Sequence, residues 1–405
     1  MKKNLLAIFS VLVCTLFVTI FICGVPQSSG TTSGPKTLKI GQLMEMSGPF
    51  APGLELVQQG TAACAQWIND NGGVSVEGQK YKIEILLEDT KSSPETAVAM
   101  ANKLILKEGV KFLIGPVVPP TSMAIARISE DAKVLRVLSV GVGTPVEINK
   151  NTPLTFCPMS TTSMIGPVYN YTAKTYPNAK KVAMVCPEDP SAVFWMETAN
   201  NWAMKNGMEV MFKENFPIMT VDFFPLCTRL LNTKPEAVEI GFGPDSIKGG
   251  IIKALRQLGF TGPIFSADPI DPNVIRGLAG KDAAYDLICV GLNPESTSYP
   301  PMALEIKKRI ELKYPGLYQD RHIGGWSALW MLAQAIEKAQ SLDPVKVADT
   351  FSKMEKIEGV FGPATMGGLK ALGVNNVVMQ PRPLIRIDKD AVTDIAIVKP
   401  CFFGD

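Results

Sequence analysis

The chain has 405 residues, enough for two or three domains with sizeable cores. Charged residues make up 19% and the formal net charge is +2, which leaves no basic stripe for nucleic acid and no polybasic patch for a membrane. Small neutral or weakly polar ligands suit that balance, and no nucleic-acid partner is expected.

Lys2 and Lys3 precede an uncharged apolar run from Leu5 to Ile22, and Gly24, Pro26 and a Ser-, Thr- and Gly-rich stretch from Gln27 to Pro35 follow. Residues 1–36 therefore read as an export signal and a flexible tether. The run of 18 is borderline for a spanning helix of about 20 residues, so an uncleaved anchor is the alternative. Cys23 stands where a lipidated cysteine would, although Ile22 before it is larger than such a signal favours, and lipid anchoring stays open. Export places the protein in the periplasm or on the outer face of the cytoplasmic membrane. Loss of the leader takes Lys2 and Lys3 with it and brings the formal +2 to neutrality.

After the tether, short apolar runs rich in β-branched residues alternate with helical patterns, the mark of parallel βαβ units. Strands are expected at Leu38–Met44, Tyr81–Glu88, Lys111–Ile114 and Val134–Val140. Helices fall between them at Leu54–Asn71, Pro94–Glu108 and Thr121–Asp131. The pattern then restarts. Helices are expected at Ile165–Tyr176, Phe194–Asn206, Asp222–Leu231 and Asp245–Leu258, and strands at Lys181–Cys186, Glu209–Asn215, Ala237–Phe242, Pro263–Ala267 and Asp286–Gly291. Helices at Met302–Lys313, Gly325–Ala339 and Pro344–Met354 follow with no strands between them, so they must cover an existing sheet. Short strands come last, near Pro383–Ile387 and Thr393–Val398. The expected fold is α/β: two doubly wound three-layer αβα lobes joined by a three-stranded hinge. One lobe takes residues 37–159 plus 292–361, the other 160–291 plus 362–405, with a cleft at the carboxyl ends of the strands.

Catalytic chemistry is hard to find in this chain. The only histidine is His322, placed in the Arg321–Gly325 turn, and neither a GxSxG elbow nor a CxxC is present. No enzyme, metal centre or cofactor is expected. Cys64, Cys157, Cys186, Cys227, Cys289 and Cys401 are scattered and set no disulfide framework. Gly241–Ser246 resembles a dinucleotide turn, but Ser246 stands at the third glycine and Pro244 removes an amide donor, so a tight lobe turn is the better reading. Carboxylate-rich spots such as Glu236–Glu239 read as solvated faces. What remains is binding chemistry. Gly115–Ser122 ends a strand and opens a helix, where free amides and the hydroxyls of Thr121 and Ser122 can hold a carboxylate or simply cap the helix. Ser139–Pro145 exposes backbone after another strand.

The order of these loops resembles the type I periplasmic solute-binding proteins of ABC importers, the Leu/Ile/Val-binding family, over nearly all of Leu38–Val398. The resemblance rests on Lys39-Ile40-Gly41 running to Ser47-Gly48-Pro49, Trp67-Ile68-Asn69 before Gly72-Gly73-Val74, Leu87-Glu88-Asp89 with Pro94-Glu95-Thr96-Ala97, and Val110–Gly115. Gly141–Pro145, Val182–Val185 and Leu258-Gly259-Phe260 followed by Ser266-Ala267-Asp268 complete it. It implies a monomeric receptor that closes two lobes over a small ligand and delivers it to an ABC permease. First-lobe contacts to a ligand carboxylate then fall near Pro120, Thr121, Ser122, Val142, Gly143 and Thr144. Where amino-acid binders carry acidic side chains for the ligand ammonium, this chain has Thr162 and Asp268. One lost anion makes an ordinary α-amino acid doubtful, because a buried ammonium short of partners costs several kcal/mol. Phe194 and Phe242 in the second lobe, Glu45 by the first strand and Trp326 in the returning segment are further ligand candidates. The expected ligand is a carboxylate without an amino group, such as an aromatic or short aliphatic acid, or an amide. A branched-chain amino acid held by Asp268 alone, a ligand-sensing module of a signalling system, and an exported hydrolase or dehydrogenase are the alternatives.

Overall fold

The computed structural model describes residues 34–404. The segment expected to be an export signal, most of the expected tether, Cys14 and Cys23 lie outside the described residues. A first sheet of six strands runs, in spatial order, Val74–Val76, Gln79–Asp89, Lys36–Met44, Phe112–Ile114, Leu135–Val137 and Thr155–Phe156. Its pairings are parallel except for the hairpin between the first two. Side chains alternate between two cores. Ile40, Phe112, Ile114, Leu135 and Val137 face the helices Glu55–Asp70, Pro301–Lys313, Asp320–Ala339 and Pro344–Ser352, whereas Leu43 and Leu113 face Pro94–Asn102 and Pro119–Asp131. A strand buried on both faces must be apolar throughout, which is why these segments read as continuous runs.

The second sheet has seven strands in the order Val392–Val398, Arg382–Ile387, Leu287–Val290, Ile264–Ser266, Ala237–Ile240, Lys181–Pro187 and Glu209–Phe216. The same period of two divides its faces. Ala183, Val185, Val238, Ile240 and Leu287 pack against Phe224–Asn232, Asp245–Gln257 and Pro272–Ala279, while Val182, Met184, Phe265, Ile288 and Val290 pack against Ile165–Thr175 and Ala192–Lys205. Each lobe is thus helix, sheet, helix. The helix Pro272–Ala279 and the hairpin strand Val74–Val76 are elements that the sequence reading lacks.

Two segments depart from the expected plan. A small antiparallel sheet of Ile357–Gly359, Gly362–Gly367 and Val377–Met379 packs Ile357, Ala364 and Val378 into the first core, and Cys157 bridges to Val377. The chain therefore stays with the first lobe past Phe361 and crosses only at Gln380–Arg382. There Gln380 donates to the Pro158 carbonyl at 2.9 Å, and the Gly291 amide donates to the Pro383 carbonyl at 3.3 Å, so the three passages between lobes run side by side. The other departure is the returning helix, which starts at Asp320 rather than Gly325. His322 lies inside its first turn, where Nδ1 accepts from the Gln319 amide at 3.1 Å. Its Nε2 lies 3.1 Å from Gln59 Oε1, and burial pushes the imidazole down to about 4. Neutral and capping a helix, His322 is a structural side chain rather than a turn residue.

Candidate functional site

At the carboxyl ends of both sheets the loops converge on one cleft, about 1080 Å³ of empty space with its open mouth included. The first lobe lines it with Phe50, Pro52 and Leu54 after the strand Lys36–Met44, Val117–Pro119 after Phe112–Ile114, and Val140–Val142 after Leu135–Val137, together with Gln319–Arg321 at the start of the returning helix. Most of this wall is apolar. Glu45 is fully buried beneath it and accepts from the amides of Val117 at 3.2 Å and Val118 at 3.3 Å and from Thr121 Oγ1 at 2.5 Å. Burial raises its pKa against the pull of those donors. Ser122 Oγ accepts from Arg136 at 2.9 Å, and Pro120 is exposed away from the lining. The carboxylate cradle expected at Thr121 and Ser122 is therefore already occupied from inside the lobe. This loop meets the cleft through valine and proline instead.

At the lobe junction Val142 lines the cleft, but Gly143 and Thr144 turn inward: the Gly143 amide donates to Glu147 at 3.0 Å, and Thr144 Oγ1 lies 3.0 Å from Ser191 Oγ across the lobes. Thr162 Oγ1 donates to the Val142 carbonyl at 2.5 Å, which fixes the loop rather than a ligand. Thr161, one residue earlier, lines the cleft with a buried hydroxyl that has no partner among the described residues. Phe194 packs beside Leu138, Ile148 and Phe402, away from the lining. Trp326 is buried against Trp67, with ring centroids 5.6 Å apart.

The second lobe contributes Pro187, Asp189, Ile218, Phe242–Asp245, Asp268, Pro269 and Asp271, again at strand ends. Phe242 braces edge-on against Trp195, 5.4 Å between centroids. Asp268 does not wait for a ligand cation. Its Oδ2 accepts from Lys248 Nζ at 2.5 Å and from the Gly243 amide at 3.2 Å, and the Lys248 side chain is only 1% exposed. Asp271 caps its helix by accepting from the amides of Asn273 and Val274, and Asp320 is held through both oxygens by Arg382 at 2.7 Å.

Two α/β lobes with a ligand-sized cleft at the strand ends frame the comparison with known proteins. A family model described as periplasmic binding protein matches residues 37–391. The chain belongs to that family. Its members are substrate-binding proteins rather than enzymes. This periplasmic binding protein is similar to Leu/Ile/Val-binding protein homolog 1 of Brucella melitensis, 25% identical over 349 residues that cover 86% of this chain and 90% of the relative. Its fold matches the branched-chain amino acid transporter substrate binding protein LivJ of Streptococcus pneumoniae, solved with isoleucine, at a TM-score of 0.74 and 19% identity over 90% of this chain and 100% of that one. It also matches a solute binding protein of an R. palustris ABC transporter, solved with 4-hydroxybenzoate, at a TM-score of 0.73 and 19% identity over 91% and 98% of the two chains.

In the cleft of this periplasmic binding protein, three polar groups have no hydrogen-bond partner among the described residues: Thr161 Oγ1, Asp245 Oδ1, which faces Lys248 Nζ only at ion-pair distance, 4.0 Å, and the Arg321 guanidinium. Asp245 opens the helix Asp245–Gln257, and its carboxyl is raised by burial, against the pull of Lys248 and Arg321. Arg321 is half-buried and lies over the Phe50–Leu54 loop, its Nε 3.5 Å from where a Cβ on Gly53 would stand. None of the three is a ligand candidate in the sequence reading, since polar residues at helix starts and turns look like caps. The open cation and the apolar wall can hold an anion with a hydrophobic body.

Proposed function

We propose that the protein captures a small organic carboxylate in its interlobe cleft and hands it to an ABC permease, acting as a monomer outside the cytoplasmic membrane. The observation that carries this reading is Arg321, a cation lining the cleft with no hydrogen bond or direct ion pair to a described residue, although the charge of Asp245 reaches it without contact. A guanidinium presents paired donors that match a carboxylate, and partial burial strengthens the pairing. Two further features weigh against an ordinary α-amino acid. Thr162 brings no charge, and Asp268 is already paired with Lys248. A zwitterionic amino acid is the second reading, favoured by the oxygen of Asp245 that accepts no hydrogen bond, a site for an ammonium.

Residues 37 onward, expressed alone, should be melted against panels of amino acids, aromatic acids, aliphatic acids and amides, because a ligand of the folded state raises the melting temperature. A shift with one class of acids and none with leucine, isoleucine or valine is the expected result, and Arg321→Gln should remove it. A shift confined to branched-chain amino acids would overturn the carboxylate reading.

A further inference from the structure

Asp245 has no role in the carboxylate reading as stated above. Its Oδ1 is buried, lines the cleft and has no donor among the described residues. A carboxyl oxygen withdrawn from water without a hydrogen bond carries a desolvation cost that a ligand donor can remove. The nearest cation does not serve. Lys248 Nζ stands 4.0 Å away and is committed to Asp268 at 2.5 Å and to the Pro269 carbonyl at 2.7 Å. Asp245 belongs to the second lobe and Arg321 to the first, and Val118, Val142, Ile218 and Phe242 are among the apolar residues that share the cleft with them.

We propose that Asp245 is a specificity-determining residue that accepts a hydrogen bond from a ligand hydroxyl, so that the preferred ligand is a hydroxy acid: carboxylate at Arg321, apolar body against the cleft wall, hydroxyl at Asp245. The inference rests on the carboxylate reading of the same cleft. A hydroxyl is the less costly donor at this oxygen, because an ammonium must be stripped of its strong hydration to enter a largely apolar cleft. A hydroxyl supplies the missing hydrogen bond and adds no charge. Asp268 plays a supporting part: by taking up Lys248 it leaves Asp245 as the open acceptor of the second lobe.

The test is a set of dissociation constants by calorimetry for benzoate and its three monohydroxy isomers, and for butyrate and its monohydroxy isomers. They are measured on the wild type, Asp245→Ala and Asp245→Asn. In at least one set, one hydroxy isomer should bind the wild type about tenfold or more tighter than the parent acid, the scale of one hydrogen bond to a buried acceptor. Asp245→Ala should collapse that ratio to near unity. Asp245→Asn keeps an acceptor oxygen and should retain most of it, which also separates the effect from misfolding. Parent and hydroxy acids binding the wild type equally, or a preference that survives Asp245→Ala, would sink the Asp245 assignment while the carboxylate reading stands. If no acid of either set binds, both readings fall. An amino acid that binds the wild type and is lost in Asp245→Asn would replace the hydroxyl with an ammonium.

Discussion

Glu239 lies on the strand Ala237–Ile240, fully buried, and accepts from Trp195 Nε1 at 2.9 Å and from the Tyr169 hydroxyl at 3.5 Å. The sequence reading of Glu236–Glu239 as a solvated face holds for Glu236 alone. Strand alternation turns Glu239 toward Trp195 and Tyr169, and their two polar hydrogens are what make a buried carboxyl tolerable. Burial pushes Glu239 up to about 7, and Glu147 likewise. An acid whose folded pKa is raised stabilises the fold fully below its unfolded value near 4.5, and that stability is lost as the pH rises through about 7. Glu239→Gln should therefore shrink the fall in melting temperature between pH 5 and pH 8, removing up to roughly 3 kcal/mol of pH-dependent stability. His322 works in the opposite sense, since its lowered value withdraws stability as the pH falls below about 6.5, and it is unchanged in the comparison. An unaltered pH profile in the variant would mean that Glu239 titrates normally. The same difficulty limited the reading of the cleft. Val142, Phe242 and Asp268 reach the lining, but Thr121, Ser122 and Thr162 spend their hydroxyls within the lobes, and nothing in a linear sequence says which way a loop hydroxyl turns.

Among the elements, long strands and helices were legible because the period of two or of 3.6 is written in their apolar residues. Short pieces were not. The strand Val74–Val76 spans only 3 residues, although the turn that pairs it with Gln79, Glu77-Gly78, has positive φ at both positions, as a two-residue hairpin with right-handed twist requires. The small sheet of 357–379 was invisible because two of its strands span only 3 residues and the other, Gly362–Gly367, is broken up by glycine and proline and shows no buried alternation, and the lobe crossing moved with it. Loops set the cleft more than strands do. Gly143 has φ +74, and a Cβ there would stand 2.2 Å from Ser160 Oγ. Gly143→Ala combines left-handed strain with a clash and should cost more than about 2 kcal/mol in urea unfolding. Gly207→Ala, with φ +67 and nothing within 4 Å, should cost only about 1 kcal/mol, the conformational part alone. Equal losses in the two variants would show that the Ser160 contact yields easily.

On the scale of the whole molecule, three adjacent passages join two lobes whose loops face one cleft. The expectation of a hinge rests on that arrangement. A ligand that touches both lobes favours the closed form by its difference in affinity between open and closed states. Small-angle scattering with a saturating ligand should then give a smaller radius of gyration than the ligand-free protein. Superimposable profiles would mean that the cleft fills without lobe movement. The late crossing at Gln380–Arg382 bears on how the molecule is made. The first lobe needs its helical layer from 301–352 and its small sheet to Met379, and the second gains two of its seven strands only from Arg382 to Val398. Neither lobe can be completed on the ribosome until these late segments have been synthesised, because contacts this distant in sequence form late. A nascent chain of this topology keeps both lobes unfinished until their late strands emerge.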